Sequence, residues 1–127
     1  MIARRVAGRR SIAASARAAA AGLAAIQRLG KAEVGDKTLV DAFAPTVASL
    51  HSSAAADEPL EQAWSRAASA AEEAARATAA LRPRLGRARP LAEKSIGHPD
   101  AGAVSFARIV GVVAHSLTPS STTSQEK

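Results

Sequence analysis

The stretch LEQAWSRAASAAEEAARATAAL, residues 60–81, decides the fold class. Leu60, Trp64, Ala67, Ala71, Ala74, Thr78 and Leu81 recur at intervals of three and four residues. That rhythm marks one stripe of an α-helix about six turns long. Glu61, Arg66, Glu72, Glu73 and Arg76 fall on the other faces. Glu72 and Arg76 form an i,i+4 pair in the favourable order, worth about 0.2–0.5 kcal/mol and typical of a solvated surface. Asp57 or Ser53 offers a cap, Pro59 sits where the first turn tolerates it, and Pro83 ends the helix.

Working outward, Leu39, Phe43, Val47 and Leu50 set a second stripe over residues 36–52, widened by Val40. Pro45 cannot donate to the Asp41 carbonyl, but the stripe keeps its phase across it, so a kink is expected rather than a break. Asp36 is the expected cap of this helix, accepting an N–H from Thr38 or Leu39. Residues 11–29 lack proline, contain Gly22 and are rich in alanine, the best helix former, with Ile12, Leu23 and Ile26 as the larger apolar groups. Gly30 supplies a left-handed stop. A last helix opens at Asp100 or Ser105, with Ala103, Phe106, Val110, Val113 and Leu117 as its stripe. No useful length alternates with period two, so the expected class is all-α with four main helices and no strands.

Composition bounds the rest. At 127 residues and 12.9 kDa the chain is one domain. Thirty-four residues are alanine, and Trp64, Phe43 and Phe106 are the only aromatics, so each helical turn buries little and the helices must pack closely. Having no cysteine excludes disulfides and thiolate sites and fits a reducing compartment. No apolar run approaches the roughly 20 residues that span a bilayer. The net charge is +6, and Arg4, Arg5, Arg9, Arg10 and Arg17 all precede the first acid, Glu33. Residues 1–15 read as a basic, irregular arm, the translation of a GC-rich frame begun in the middle of something longer. A transit peptide or a nucleic-acid contact are the other readings, and the latter lacks interleaved aromatics. Residues 16–117 form the domain, and residues 118–127 a polar, disordered tail.

Chemistry concentrates in two connections. Residues 86–102, GRARPLAEKSIGHPDAG, interleave glycines and prolines with Arg87, Arg89, Lys94, His98 and the carboxylates Glu93 and Asp100. Arg82, Arg84, Arg87 and Arg89 place four guanidinium groups within eight residues, a pattern suited to bidentate phosphate binding. Arg82 and Arg84 fit a solvated basic face closing a helix, whereas Arg87, beside Gly86, fits a ligand contact. Asp100 suits a helix cap, a contact to a ligand hydroxyl or metal, or both. Gly102 lets a ligand approach the backbone, and first-turn N–H groups can meet a phosphate. His98 lacks the companions of a zinc site or triad and suits a local hydrogen bond. The other connection, residues 29–38, carries Gly30, Lys31, Gly35, Lys37 and Thr38 ahead of a helix. It lacks the GxxxxGK[ST] spacing and a preceding strand. The two connections can converge at one end of a helical bundle.

GKAEVGDKTLVDAFAPTVASL (30–50) and GRARPLAEKSIGHPDAGAVS (86–105) resemble the DhaL/DAK2 family, the nucleotide-binding L domain of dihydroxyacetone (glycerone) kinases. The family patterns are close to GKAxxGDKTMxDxxxP and KGRASYLGERSIGHxDPGA, and their order and separation match over residues 16–117. The resemblance implies the C-terminal part of an antiparallel helical barrel holding ADP or ATP at one end, with Mg2+ beneath the phosphates. It implies phosphoryl transfer to a small ketose held by a K subunit or domain, in some systems with a phosphotransferase-system M subunit, in the cytoplasm. Nucleotide contacts carried over from the motifs are Gly30, Leu39, Arg87, Asp100, Ala101 and Gly102. No catalytic or metal-ligating residue carries over.

The departures are specific. Arg89 and Pro90 stand for Ser-Tyr, Ala92 for Gly, Lys94 for Arg, and the proline of the Asp-Pro-Gly segment precedes Asp100 as Pro99. The family's GDxDHGxN magnesium loop belongs before Ala16, where this sequence has MIARRVAGRRSIAAS. Phosphoryl transfer depends on metal and positioned cations, so the expectation is that this polypeptide alone binds nucleotide weakly, if at all, and does not catalyse. Three readings follow. The chain is the ADP/ATP-binding part of a kinase, completed by a K partner and a separate N-terminal half of the L domain. Alternatively it is an inactive truncated fragment with a structural or subunit-interaction role. A small basic nucleic-acid-binding module is disfavoured.

Overall fold

The computed structural model describes the backbone of residues 2–83 and 93–117, and side chains over residues 12–83 and 94–117. Among the described residues there are four α-helices and no strand: α1 (Ile2–Gly30), α2 (Val40–Ala55), α3 (Leu60–Ala77) and α4 (Ala101–Leu117). Short 3₁₀ turns, Thr78–Ala80 and Glu93–Ser95, lie between α3 and α4. The all-α expectation with four main helices therefore holds, while several boundaries move.

The irregular arm expected over residues 1–15 is the clearest correction, because α1 already begins at Ile2. Alanine and arginine are strong helix formers and no proline interrupts residues 2–30. The 29-residue helix is about 44 Å long. The expected left-handed stop moves by one residue: Gly30 closes the helix, and Lys31 takes φ +56° while its N–H donates to Gln27 O at 2.8 Å. In α2, Pro45 lies inside an unbroken helix. Next to it, the buried Thr46 hydroxyl donates back to Ala42 O at 2.8 Å.

Helix α3 lies in the middle, packed against α2 and α4, while α1 packs mainly on α2. Its buried face is the i,i+4 row Ala63, Ala67, Ala71 and Ala75. The expected stripe anticipated Ala67 and Ala71, but Trp64 and Ala74 are only half-buried. A row of methyl groups lets neighbouring backbones approach to the short end of the usual 8–10 Å. Helix α4 behaves alike, burying Ala103, Ala107, Val110 and Ala114. Phe106 of α4 stacks on Phe43 of α2 with ring centroids 4.6 Å apart. Gly22 of α1 completes that junction, since a Cβ there would lie 3.3 Å from Phe43 Cζ. The exposed Arg76–Glu72 pair forms as expected, at 3.1 Å.

Candidate functional site

The loop between α1 and α2 is folded by two aspartates. Asp36 does not cap α2 as expected; its Oδ2 accepts the Glu33 N–H at 2.9 Å, and its own N–H donates to Glu33 O at 3.1 Å. The carboxylate that organises the helix entrance is Asp41, which is buried. Its Oδ1 accepts the Gly35 N–H at 2.6 Å and its Oδ2 the Thr38 N–H at 2.9 Å. Thr38 Oγ1 in turn accepts the Val40 N–H at 3.1 Å. The Gly35 and Thr38 amides are thus engaged within the chain. Beyond Lys31, the loop needs two more left-handed residues, Gly35 at φ +100° and Lys37 at φ +63°. Glycine adopts that conformation freely, whereas lysine does so at a cost.

The second connection is fastened to the end of α3. Thr78 is buried; its hydroxyl donates to Ala75 O at 2.5 Å and accepts the Asp100 N–H at 2.8 Å. Gly97 N–H donates to Ala79 O at 2.6 Å, and His98 N–H to Ser95 O at 3.0 Å. Asp100 Oδ2 accepts the Ala103 N–H at 2.9 Å, so Asp100 rather than Ser105 caps α4.

The two connections converge, as the sequence suggested. Lys37 Nζ donates to Ser95 O at 2.7 Å and contacts Ser95 Oγ at 3.3 Å. Gly102 lies against the start of α2, where a Cβ would come within 3.5 Å of Leu39 Cβ and 3.1 Å of Asp100 Oδ2. The close approach at Gly102 is therefore to protein as well as to any ligand. Leu39, Asp100, Ala101 and Gly102 form one patch, with Leu39 and Asp100 half-buried and Ala101 and Gly102 exposed. Gly30 is exposed at the end of α1, a Cβ on it would meet open space, and a shallow surface cavity lined by Gln27, Arg28, Lys31, Ala32 and Glu33 lies beside it. Arg87 lies outside the described residues, as do Arg84, Arg89 and residues 118–127. Arg82 and His98 are exposed.

Sequence reading missed Asp41, Lys37, Thr78 and Ser95 as the groups that hold the patch together. Thr78 carried a signal, being the one hydroxyl in the α3 stripe. Among the described residues no group of three His, Asp or Glu side chains is arranged to hold a metal. Asp36, Asp41 and Asp100 instead accept backbone N–H groups. The described carboxylates therefore do not fit a magnesium site. No described helix is long and apolar enough to cross a membrane.

The DAK2 domain model matches residues 2–115. A D-erythrulose kinase of Mycolicibacterium smegmatis is 54% identical over 94 residues, covering 74% of this chain and 16% of that protein. The ADP-binding subunit DhaL of the PEP-dependent dihydroxyacetone kinase of Escherichia coli is 47% identical over 76 residues, 60% of this chain and 36% of that subunit. The corresponding subunit of the PEP-dependent dihydroxyacetone kinase 2 of Listeria innocua is 40% identical over 96 residues, 76% and 44% respectively. The chain thus spans less than half the length of each of these relatives.

Proposed function

The chain belongs to the DAK2 (DhaL) family, and from that premise we propose that it supplies the ADP- or ATP-binding part of a kinase that phosphorylates a small ketose. The observation that carries this reading is the convergence of the two connections, where Lys37 reaches Ser95 and Gly102 seats on Leu39 at one end of the bundle. Leu39 supplies an apolar surface for a base, and the first turn of α4 presents backbone at Ala101 and Gly102 for a phosphate. In this reading Gly30, exposed at the end of α1, is a further nucleotide contact, and Arg87 contributes a fork for phosphate oxygens.

Within this reading the chain's residues bind and orient the nucleotide, and the ketose is held by a K-type partner. Magnesium is the family's expected companion of the phosphates, where it neutralises developing charge. Asp36, Asp41 and Asp100, the carboxylates of the two connections that the structure describes, are committed to backbone amides, so no step through the metal is assigned to them.

The test is an NMR titration of the 127-residue chain with ADP and magnesium. We expect saturable binding with a dissociation constant below about 1 mM, equivalent to about −4 kcal/mol. The moving amides should fall in residues 30–39 and 97–103. Arg87→Ala should weaken binding about tenfold or more, a loss of about 1.4 kcal/mol. No saturable shift, or shifts confined to the α3 surface, would overturn the proposal.

A further inference from the structure

Lys37 has features that loop formation alone does not explain. It sits at φ +63°, a conformation that disfavours any side chain with a Cβ, and yet it is only 5% exposed. Its amino group reaches across 58 positions of sequence to the carbonyl and hydroxyl of Ser95. The described partners of Lys37, the carbonyl and hydroxyl of Ser95, are neutral. Burying a cation against neutral acceptors is costly, and an asparagine or glycine would satisfy the backbone here at lower cost. The arrangement becomes intelligible if the side chain has a task at its far end.

We infer that Lys37 is a positioning residue for the nucleotide site, a strut that holds the 93–98 segment, and through it Asp100 to Gly102, in register with Leu39. The inference rests on the nucleotide-binding reading above. The Ser95 carbonyl is two residues before Gly97, whose N–H is tied to Ala79 O, and three before His98, whose N–H closes back on Ser95 O. Fixing that carbonyl therefore fixes the whole turn that leads into α4. A charge-assisted bond to it is stronger than a neutral one. The same cation, lacking a carboxylate partner among the described residues, favours an anion at this end of the bundle.

The test uses Lys37→Gly and Lys37→Arg in the full chain. Glycine suits φ +63°, so Lys37→Gly should fold with an unchanged or raised melting temperature. It should nevertheless speed amide exchange at Gly97 and His98, leave α1 and α2 as they are, and weaken ADP about tenfold in the titration. Lys37→Arg keeps a cationic donor and should restore most of both. Unaltered exchange at 97–98 in Lys37→Gly, or unaltered ADP affinity in a chain that binds it, overturns the inference. Failure of the unmutated chain to bind ADP overturns the proposed function instead, and the exchange measurement still decides whether the strut exists.

Discussion

Asp41 is the buried carboxylate that organises the entrance to α2, and its removal gives the sharpest expectation. It is 7% exposed and accepts two backbone N–H groups, from Gly35 at 2.6 Å and Thr38 at 2.9 Å. A hydrogen bond to a charged group contributes about 1.5–3 kcal/mol. Asp41→Ala removes two of them, so full loss would cost about 3–6 kcal/mol. Gly35 and Thr38 are only half-buried, so water can reach their amides once the carboxylate is gone, and about 2–4 kcal/mol is expected. Asp41→Asn keeps one acceptor oxygen and turns an NH₂ toward the other amide, so it should fall between wild type and alanine. In urea unfolding followed by circular dichroism, the loss should show as a lower midpoint at unchanged slope. At about 4 °C per kcal/mol for a domain of this size, Asp41→Ala should melt roughly 8–16 °C lower. Exchange of the Gly35 and Thr38 amides should quicken in step. An Asp41→Ala protein within about 0.5 kcal/mol of wild type would refute the claim that this carboxylate closes the loop.

Two further expectations concern the frame beneath the patch. Thr78→Val keeps the volume of a buried side chain but leaves the Asp100 N–H without its acceptor. It should cost about 1–3 kcal/mol and expose the Asp100 amide to exchange, whereas Thr78→Ser should keep that amide protected; equal exchange in the two variants would count against the role of the hydroxyl. Ala71 is fully buried in the α3 row, so Ala71→Leu should overpack the helix contacts and cost about 1–3 kcal/mol by calorimetric melting. A neutral result would mean that the row is not closely packed.

The helices were legible because their periodicity survives the poverty of large side chains, and the same poverty hid which turns are buried. In α3 the periodic stripe runs through Trp64 and Ala74, yet Ala63 and Ala75 lie inside. In α4 it runs through Val113 and Leu117, yet Ala107 and Ala114 lie inside while Ile109 and Val112 remain exposed. Where two helices touch through small residues, closeness of backbone decides burial, and hydropathy points to the wrong face. Boundaries failed for a different reason. The start of α2 moves from residue 36 to Val40 because Asp41 bonds backward to Gly35 and Thr38, a local arrangement that competes with a cap at Asp36. The candidate site was legible as composition at Gly102 and Asp100, but its supports were not, since Lys37 and Ser95 are 58 positions apart.

Those supports divide the residues of the patch and its frame into two groups. Asp41, Lys37 and Thr78 are buried and spend their polar atoms on the chain itself. Gly30, Ala101 and Gly102 are exposed and leave backbone open to solvent. A site built this way separates holding from touching, because the atoms that fix its shape are shielded from the ligand and from water. Under the proposed nucleotide-binding reading, the geometry of the patch is set before the nucleotide arrives, and less ordering free energy is lost when it does. The arrangement also accounts for a lysine at φ +63°: the backbone cost at one residue is offset by the bond that orders a turn on the other connection. Substitutions in the exposed group should therefore act through what they touch, and substitutions in the buried group through the shape they release.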